Sequence, residues 1–234
     1  MPDDYDDIYL HHAARYQELV SFEDYEGRLQ PAISAVHALD GADIVECGAG
    51  TGRVTRLVAP AARRLLATDG SPAMLRLAVQ QLSQAGHTHC FFAAADHRAL
   101  PFPDACADFT LEGWAFGHLA VRHYEPTFAA ACRAIDEMQR VLRPGGTMLL
   151  IETLGTGYER PTPPSDELAH FFAYLEDHLG FQHTWVRTDF RFPTQAQGEA
   201  LLEFFFGQSL ADRFIPQDDV VILPECTGLW WRTA

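Results

Sequence analysis

The chain has 234 residues, 47% hydrophobic and 21% charged, enough apolar material for one packed domain with, at most, an appended lobe. Its 32 acidic and 17 basic residues leave a formal net charge of −15, which argues against nucleic acid and anionic membrane surfaces, because both are bound through clustered Lys and Arg. Five cysteines without a C-x-x-C pair, and 11 histidines without a completed ligand spacing, point to a reduced, cytoplasmic protein with no metal site.

The acidic start, MPDDYDDIYL, lacks the apolar stretch of a signal peptide. No apolar run approaches the ~20 residues that span a bilayer. Residues 5–38 read mostly as helix. Ile44–Cys47 is a short buried strand, followed by a glycine loop and a predicted helix over Thr51–Ala59 with Val54, Leu57 and Val58 on one face. Leu65–Thr68 is a second strand ending at Asp69. Ser71-Pro72 reads as an N-cap with proline at the first helical position, and Gly86 stops that helix. Phe91–Ala95 and Ala107–Leu111 are the third and fourth strands. A helix striped by Ile135, Met138, Val141 and Leu142 runs to Pro144-Gly145-Gly146, and Met148–Glu152 is the fifth strand. This alternation implies a parallel sheet with helices on both faces and ligands at the carboxyl ends of the strands. Residues 155–170 read as a loop. Phe181–Phe192 and Val220–Arg232 read as two further strands flanking a helix over 195–207, with an antiparallel closing pair expected there.

The densest signal is ECGAGTGRVT, residues 46–55. Glycines between a strand and a helix allow a tight turn and close backbone approach to a ligand, and a helix N-terminus favours an anionic group. Two ligands compete for such a loop. A dinucleotide asks for G-x-G-x-x-G, but here Gly52 comes one place early and Arg53 stands where the third glycine belongs. S-adenosylmethionine presents an amino-acid head, and Glu46 ahead of the glycines suits its ammonium. A carboxylate beside a pyrophosphate would gain nothing.

Glu46-x-Gly48-x-Gly50-x-Gly52 resembles the glycine motif of class I S-adenosylmethionine-dependent methyltransferases. Residues 66–75, LATDGSPAML, resemble that family's second-strand motif; residues 95–102, ADHRALPF, its third-strand segment; and residues 141–146, VLRPGG, the turn before its fifth strand. The four occur in order over roughly residues 40–153. The resemblance implies a Rossmann-like, doubly wound seven-stranded α/β sheet, mostly parallel with an antiparallel C-terminal strand. It implies a single domain over 1–234, with a helical lid (1–40), a donor-binding core (41–153) and a sheet-completing, acceptor-side segment (154–234).

The resemblance also assigns donor contacts. Glu46, Cys47, Gly48, Gly50 and Gly52 would hold the methionine end, and Asp69, Gly70 and Ser71 the ribose edge. Asp96, His97 and Met74, with Leu100, would meet adenine, and Glu112, Gly113 and Trp114 would line the methyl end. Gly70 departs from the family, which more often places an apolar cover for adenine there. On the acceptor side Tyr9, Tyr16, Phe116, His118 and His123 are expected to line a pocket, and His118 is the candidate general base. Tyr9, Arg15, Tyr16 and Tyr25 are expected to form part of an N-terminal lid, Tyr124 stands with His123 behind His118 as a candidate base, and the pocket is expected from residues 113–124, 155–175 and the N-terminal helices. No D-P-P-Y or N-P-P-Y run follows the fourth strand and no Pro-Cys nucleophile is present, so nucleic-acid bases are demoted as acceptors. The expectation is methyl transfer to a small molecule. The alternative is a donor-binding regulatory module without turnover, and a nicotinamide-dependent reductase is disfavoured by Glu46 and Arg53.

Overall fold

The computed structural model describes residues 5–122, 127–207 and 210–234. The N-terminal segment is three short helices, α1 (Tyr5–His11), α2 (Ala13–Val20) and α3 (Leu29–Val36), not one helical stretch. The break after α2 is built by Asp24, whose carboxylate accepts the N–H groups of Arg28 and Leu29 at 2.8 and 3.1 Å. Then follow β1 (Asp43–Cys47), α4 (Thr55–Val58), β2 (Arg64–Asp69), α5 (Pro72–Gln84) and β3 (Cys90–Ala94). The expected helix over 51–59 is therefore reduced to one turn, because the glycine loop continues to Val54. The Ser71 side chain caps α5 through the N–H of Met74, and Pro72 opens the helix, as the sequence implied.

The second half of the core is β4 (Ala107–Gly113), α6 (Phe116–Arg122), α7 (Ala129–Val141) and β5 (Leu142–Thr156). The helix expected to reach Pro144 ends at Val141, and Leu142 already pairs with Ala107 on β4 before the register shifts at Gly145-Gly146. The C-terminal part comprises α8 (Asp166–Asp177), β6 (Gln182–Arg187), β7 (Phe190–Phe192), α9 (Gln195–Phe206), a 3-10 turn (Ala211–Arg213), β8 (Ile215–Gln217), β9 (Val220–Leu223) and β10 (Glu225–Thr233). Helix α8 corrects the loop expected through residue 170. Its Ser165 side chain accepts from the Leu168 N–H, and Leu168, Phe171, Phe172 and Leu175 form its buried stripe.

Seven strands form one sheet in the order β3-β2-β1-β4-β5-β10-β6. The pairs β1–β2, β1–β4, β2–β3 and β4–β5 are parallel, and β10 runs antiparallel to both β5 and β6. The fold is thus the Rossmann-like, mostly parallel seven-stranded sheet with one antiparallel strand. Strand β1 is buried throughout, with Val45 and Cys47 in one core face beneath α6–α8 and Ile44 in the other beneath α3–α5. The chain leaves β1 in one direction towards β2 and β3, then returns on its other side to β4 and β5. The carboxyl ends of β1 and β4 therefore flank the switch point where such sheets bind ligands.

The expected strand over Phe181–Phe192 divides between β6 and β7, and that over Val220–Arg232 between β9 and β10. The outer halves form a separate antiparallel sheet, β7-β9-β8. Its core joins Phe190, Phe192 and Leu223 to Leu201 and Leu202 of α9 and Leu19 of α2. This layer stands at the carboxyl end of β6 and closes over the ligand edge of the main sheet. No helix among the described residues is long and apolar enough to cross a membrane.

Candidate active site

The glycine loop is held by its own backbone. The N–H groups of Gly48 and Ala49 donate to the Thr68 carbonyl at 2.8 and 2.9 Å, and Gly52 donates to Ala49 at 2.8 Å. The first helical residue is Thr55, so the helix end predicted to meet an anionic group lies three residues beyond Gly52. The glycines act differently from one another. Gly48 has φ +75°, and a methyl placed on it would stand 2.5 Å from the Ala115 Cβ. Gly50 has φ +54° and nothing within 4 Å of such a methyl, so this stretch of backbone is open to a ligand. Gly48→Ala is expected to cost about 2 kcal/mol from the close contact and the left-handed backbone together. Thermal unfolding would read that as a fall of about 5 °C in Tm, and an unchanged Tm would contradict the close packing described.

Glu46 is 1% exposed, and burial pushes its carboxyl up to about 7. Its Oε2 has no hydrogen-bond partner. A buried carboxylate with an orphaned oxygen is costly unless a cation or donor meets it. Cys47 points into the core, fully buried, and burial pushes its thiol well up.

Asp69, at the end of β2, accepts the Gly50 N–H on Oδ2 at 2.8 Å and the Ser71 N–H on Oδ1 at 2.7 Å. It therefore ties the glycine loop to the start of α5, and each oxygen keeps a lone pair for another donor. Gly70 is exposed beside it with open space around its Cα. Met74 is 2% exposed and packed inside, so it lies in the core beneath this edge. Asp96 is exposed and grips Arg98, with contacts of 2.6 to 3.1 Å to the guanidinium. That hydrogen-bonded ion pair holds its carboxyl down at about 2. His97 lies largely buried against Phe116 with Nδ1 unpartnered, and burial lowers its proton affinity.

The carboxyl end of β4 turns sharply. Glu112 folds under it and accepts the N–H groups of Ala115 and Phe116 at 3.0 and 3.3 Å; burial beside Glu152 raises its carboxyl well above the ordinary range. Gly113 packs under Val54. Trp114 takes φ +54°, a strained backbone for a bulky residue and of the kind found at functional sites. Its ring carries the guanidinium of Arg53, 3.5 Å from the centroid, and Arg53 forms a buried ion pair with Glu23. The residue following the glycine motif is thus bonded to the N-terminal segment.

Beyond these strand ends lies a cavity of about 340 Å³. Of the residues expected to line it, Tyr9, Tyr16 and His118 do so, as does Trp114. The Tyr9 hydroxyl lies 3.1 Å from His118 Nε2, and burial pushes both phenols up, Tyr16 to about 12. The Tyr9 carbonyl accepts the Ser71 hydroxyl at 2.7 Å, so α1 bridges the donor edge and this cavity. Phe116 is a correction: it is fully buried in the core beneath α6 and does not line the cavity. It follows Trp114 by two residues, but the turn into α6 rotates it inward. Tyr25 and Arg15 also stand apart, Tyr25 beside Arg191 and Arg15 on Phe204. His123 and Tyr124 lie outside the described residues. Lining residues that the sequence did not single out for this pocket include Glu23, Arg53, Glu152, Phe205, Arg213 and Glu225. Glu225 could have been noticed, as a single acid inside the apolar run VVILPECTGLWW.

A family profile described as a methyltransferase domain matches residues 45–150. A ubiquinone/menaquinone biosynthesis C-methyltransferase of Hahella chejuensis is 36% identical over 129 residues, 53% of this chain and 46% of the relative. Residues 45–150 thus form a methyltransferase domain of the class I S-adenosylmethionine-dependent type. Its cofactor is accordingly S-adenosylmethionine, and the orphaned Glu46 oxygen and the open Gly50 backbone at the sheet's switch point fit that molecule. A malonyl-[acyl-carrier protein] O-methyltransferase of Pectobacterium atrosepticum is 28% identical over 145 residues, 62% of this chain and 51% of the relative. The chain spans about half the length of these two curated relatives. A solved S-adenosylmethionine-dependent methyltransferase from Aquifex aeolicus shares the fold with a TM-score of 0.55 at 16% identity, covering 92% of this chain and 96% of that one.

Proposed function

We propose that this methyltransferase transfers the methyl group of S-adenosylmethionine to a small acceptor held in the cavity over the carboxyl ends of β4 and β5. The observation that carries this reading is the continuity of the two sites. Trp114, Gly117 and Glu152 line the cavity at the ends of the two strands, and Arg53 and Tyr9 join it to the glycine loop and to Ser71. When bound, S-adenosylmethionine supplies an electrophilic methyl on a sulfonium, so the chain's task is positioning, water exclusion and proton removal.

The residues divide that work. Glu46 faces the donor's ammonium, Asp69 accepts from the ribose hydroxyls, and Asp96 and His97 border adenine, with Arg98 fixing the Asp96 carboxylate. Tyr9 and His118 form the proton path. The phenol touches the acceptor, passes its proton to His118 Nε2 and takes up the acceptor's proton in turn. The relatives' names cover both carbon and oxygen methylation, so the acceptor is set by the cavity and not by the donor motifs. The wider reading is a cytoplasmic enzyme of small-molecule metabolism, with no nucleic-acid or membrane partner.

His118→Ala is expected to lower kcat by about a hundredfold or more, with affinity for S-adenosylhomocysteine unchanged, in a steady-state assay paired with calorimetry. Full turnover in that variant would remove His118 from the mechanism.

A further inference from the structure

Three carboxyl groups, those of Glu23, Glu152 and Glu225, reach the cavity, and each is buried. Two of them are answered within the fold. Glu23 is paired with Arg53. Glu152 accepts the Gly117 N–H at 2.5 Å. Glu225 is answered on one side only. Its Oε1 accepts the Thr153 hydroxyl at 2.8 Å, while Oε2 has no hydrogen-bond partner, on a residue 2% exposed. The second guanidinium of the cavity, Arg213, lies 4.1 Å above the ring of Tyr158, which is 38% exposed, at the solvent end.

Much of the remaining wall is aromatic, including Tyr5, Tyr16, Phe190 and Phe205, interspersed with aliphatic and threonine side chains. Aromatic faces and an incompletely satisfied buried carboxylate recognise the same kind of group. A cation is attracted to the rings' negative faces, and an N–H donor satisfies the orphaned oxygen. An anionic acceptor would bring no donor for Oε2 and would oppose ionisation of Glu225 in a low-dielectric space. A neutral acceptor without a donor would leave Oε2 unpaired.

We propose that the acceptor is a small amine, cationic at neutral pH, whose ammonium group docks on Glu225 while its apolar body fills the aromatic part of the cavity. Glu225 is thus the specificity-determining residue of the acceptor site. The inference rests on the methyl-transfer reading and narrows its acceptor. Glu225 sits on β10 opposite Thr156 of β5, beyond Glu152 along the strand, so it anchors the acceptor without being the proton-removing group.

The test is thermal unfolding of the full chain, with and without saturating S-adenosylhomocysteine, against four phenylalkyl probes: 2-phenylethylamine, phenylalanine, 2-phenylethanol and 3-phenylpropionate. The proposal expects the greatest stabilisation from 2-phenylethylamine, with or without phenylalanine, less from the alcohol, whose O–H can donate to Oε2 but carries no charge, and little from the acid. In Glu225→Gln the apparent affinity for the amine is expected to fall about tenfold or more. The shift given by S-adenosylhomocysteine should persist, which shows the variant folded. Stabilisation by the acid or the alcohol in preference to the amine, no response to the amine in the wild type, or an undiminished amine response in Glu225→Gln would each overturn it. The S-adenosylhomocysteine arm reports the donor site separately, so loss of the amine effect with a retained donor effect refutes this inference alone.

Discussion

Asp69→Ala is expected to reduce affinity for S-adenosylhomocysteine by about a hundredfold or more, measured by calorimetry. Two losses combine. In the proposed donor site the carboxylate would offer one charge-assisted bond to each ribose hydroxyl, worth roughly 1.5–3 kcal/mol apiece. It also holds the Gly50 and Ser71 N–H groups, so its removal frees the glycine loop from the end of β2 and α5. Asp69→Asn separates the two. One amide oxygen can keep one of the backbone bonds but cannot serve both N–H groups and both hydroxyls, so an intermediate loss is expected. Unchanged affinity in Asp69→Ala would remove this residue from the donor site and leave it a purely structural tie.

A second large effect is a decline in stability at alkaline pH. Burial pushes Glu46 and Glu152 up to about 7 and Glu225 up to about 8. In the unfolded chain a glutamic acid ionises near pH 4.3. Between these values the folded state holds protons that the unfolded state has released, so stability falls as pH rises and the contribution is gone by about pH 9. His97 acts in the other direction, since burial lowers its proton affinity, but its effect is complete by about pH 7. From pH 7 to 9 the net loss is expected to be about 2 kcal/mol, or roughly 4–8 °C in Tm. Glu225→Gln should remove about half of that slope. A stability that holds level or increases over the same interval would contradict the burial of these carboxyl groups.

The core was legible from sequence because its signals are local. Val45 and Cys47, the Ser71-Pro72 cap and the turn at Gly48 to Gly52 each specify a few neighbouring residues, and their order fixes a parallel sheet with a switch point beside β1. Helix α8 carried an equally local signal in Leu168, Phe171, Phe172 and Leu175, but the preceding Pro161-Thr-Pro-Pro run drew the loop reading too far. The two-residue offset between Trp114 and Phe116 hid a turn that sends one side chain to the cavity and the other to the core. The acceptor cavity is of another kind. It joins Tyr9 and Glu23 from the start of the chain, Glu152 from the middle and Phe205 and Glu225 from the end. No spacing rule connects such residues; only the packing of α1, α2 and α9 with the small sheet over the strand ends brings them together.

On the proposed reading the cavity is a buried acceptor site lined by aromatic rings and carboxyl groups, on the same edge of the sheet as the donor loop. Incubation of the full chain with methyl-labelled S-adenosylmethionine and a fractionated small-molecule extract tests that directly. The account predicts that label moves from the donor into a basic, amine-containing fraction, with S-adenosylhomocysteine formed in equal amount and transfer sharply reduced in His118→Ala. Tight donor binding with no label leaving the donor in any fraction would contradict it, and would make the chain a donor-binding module without turnover.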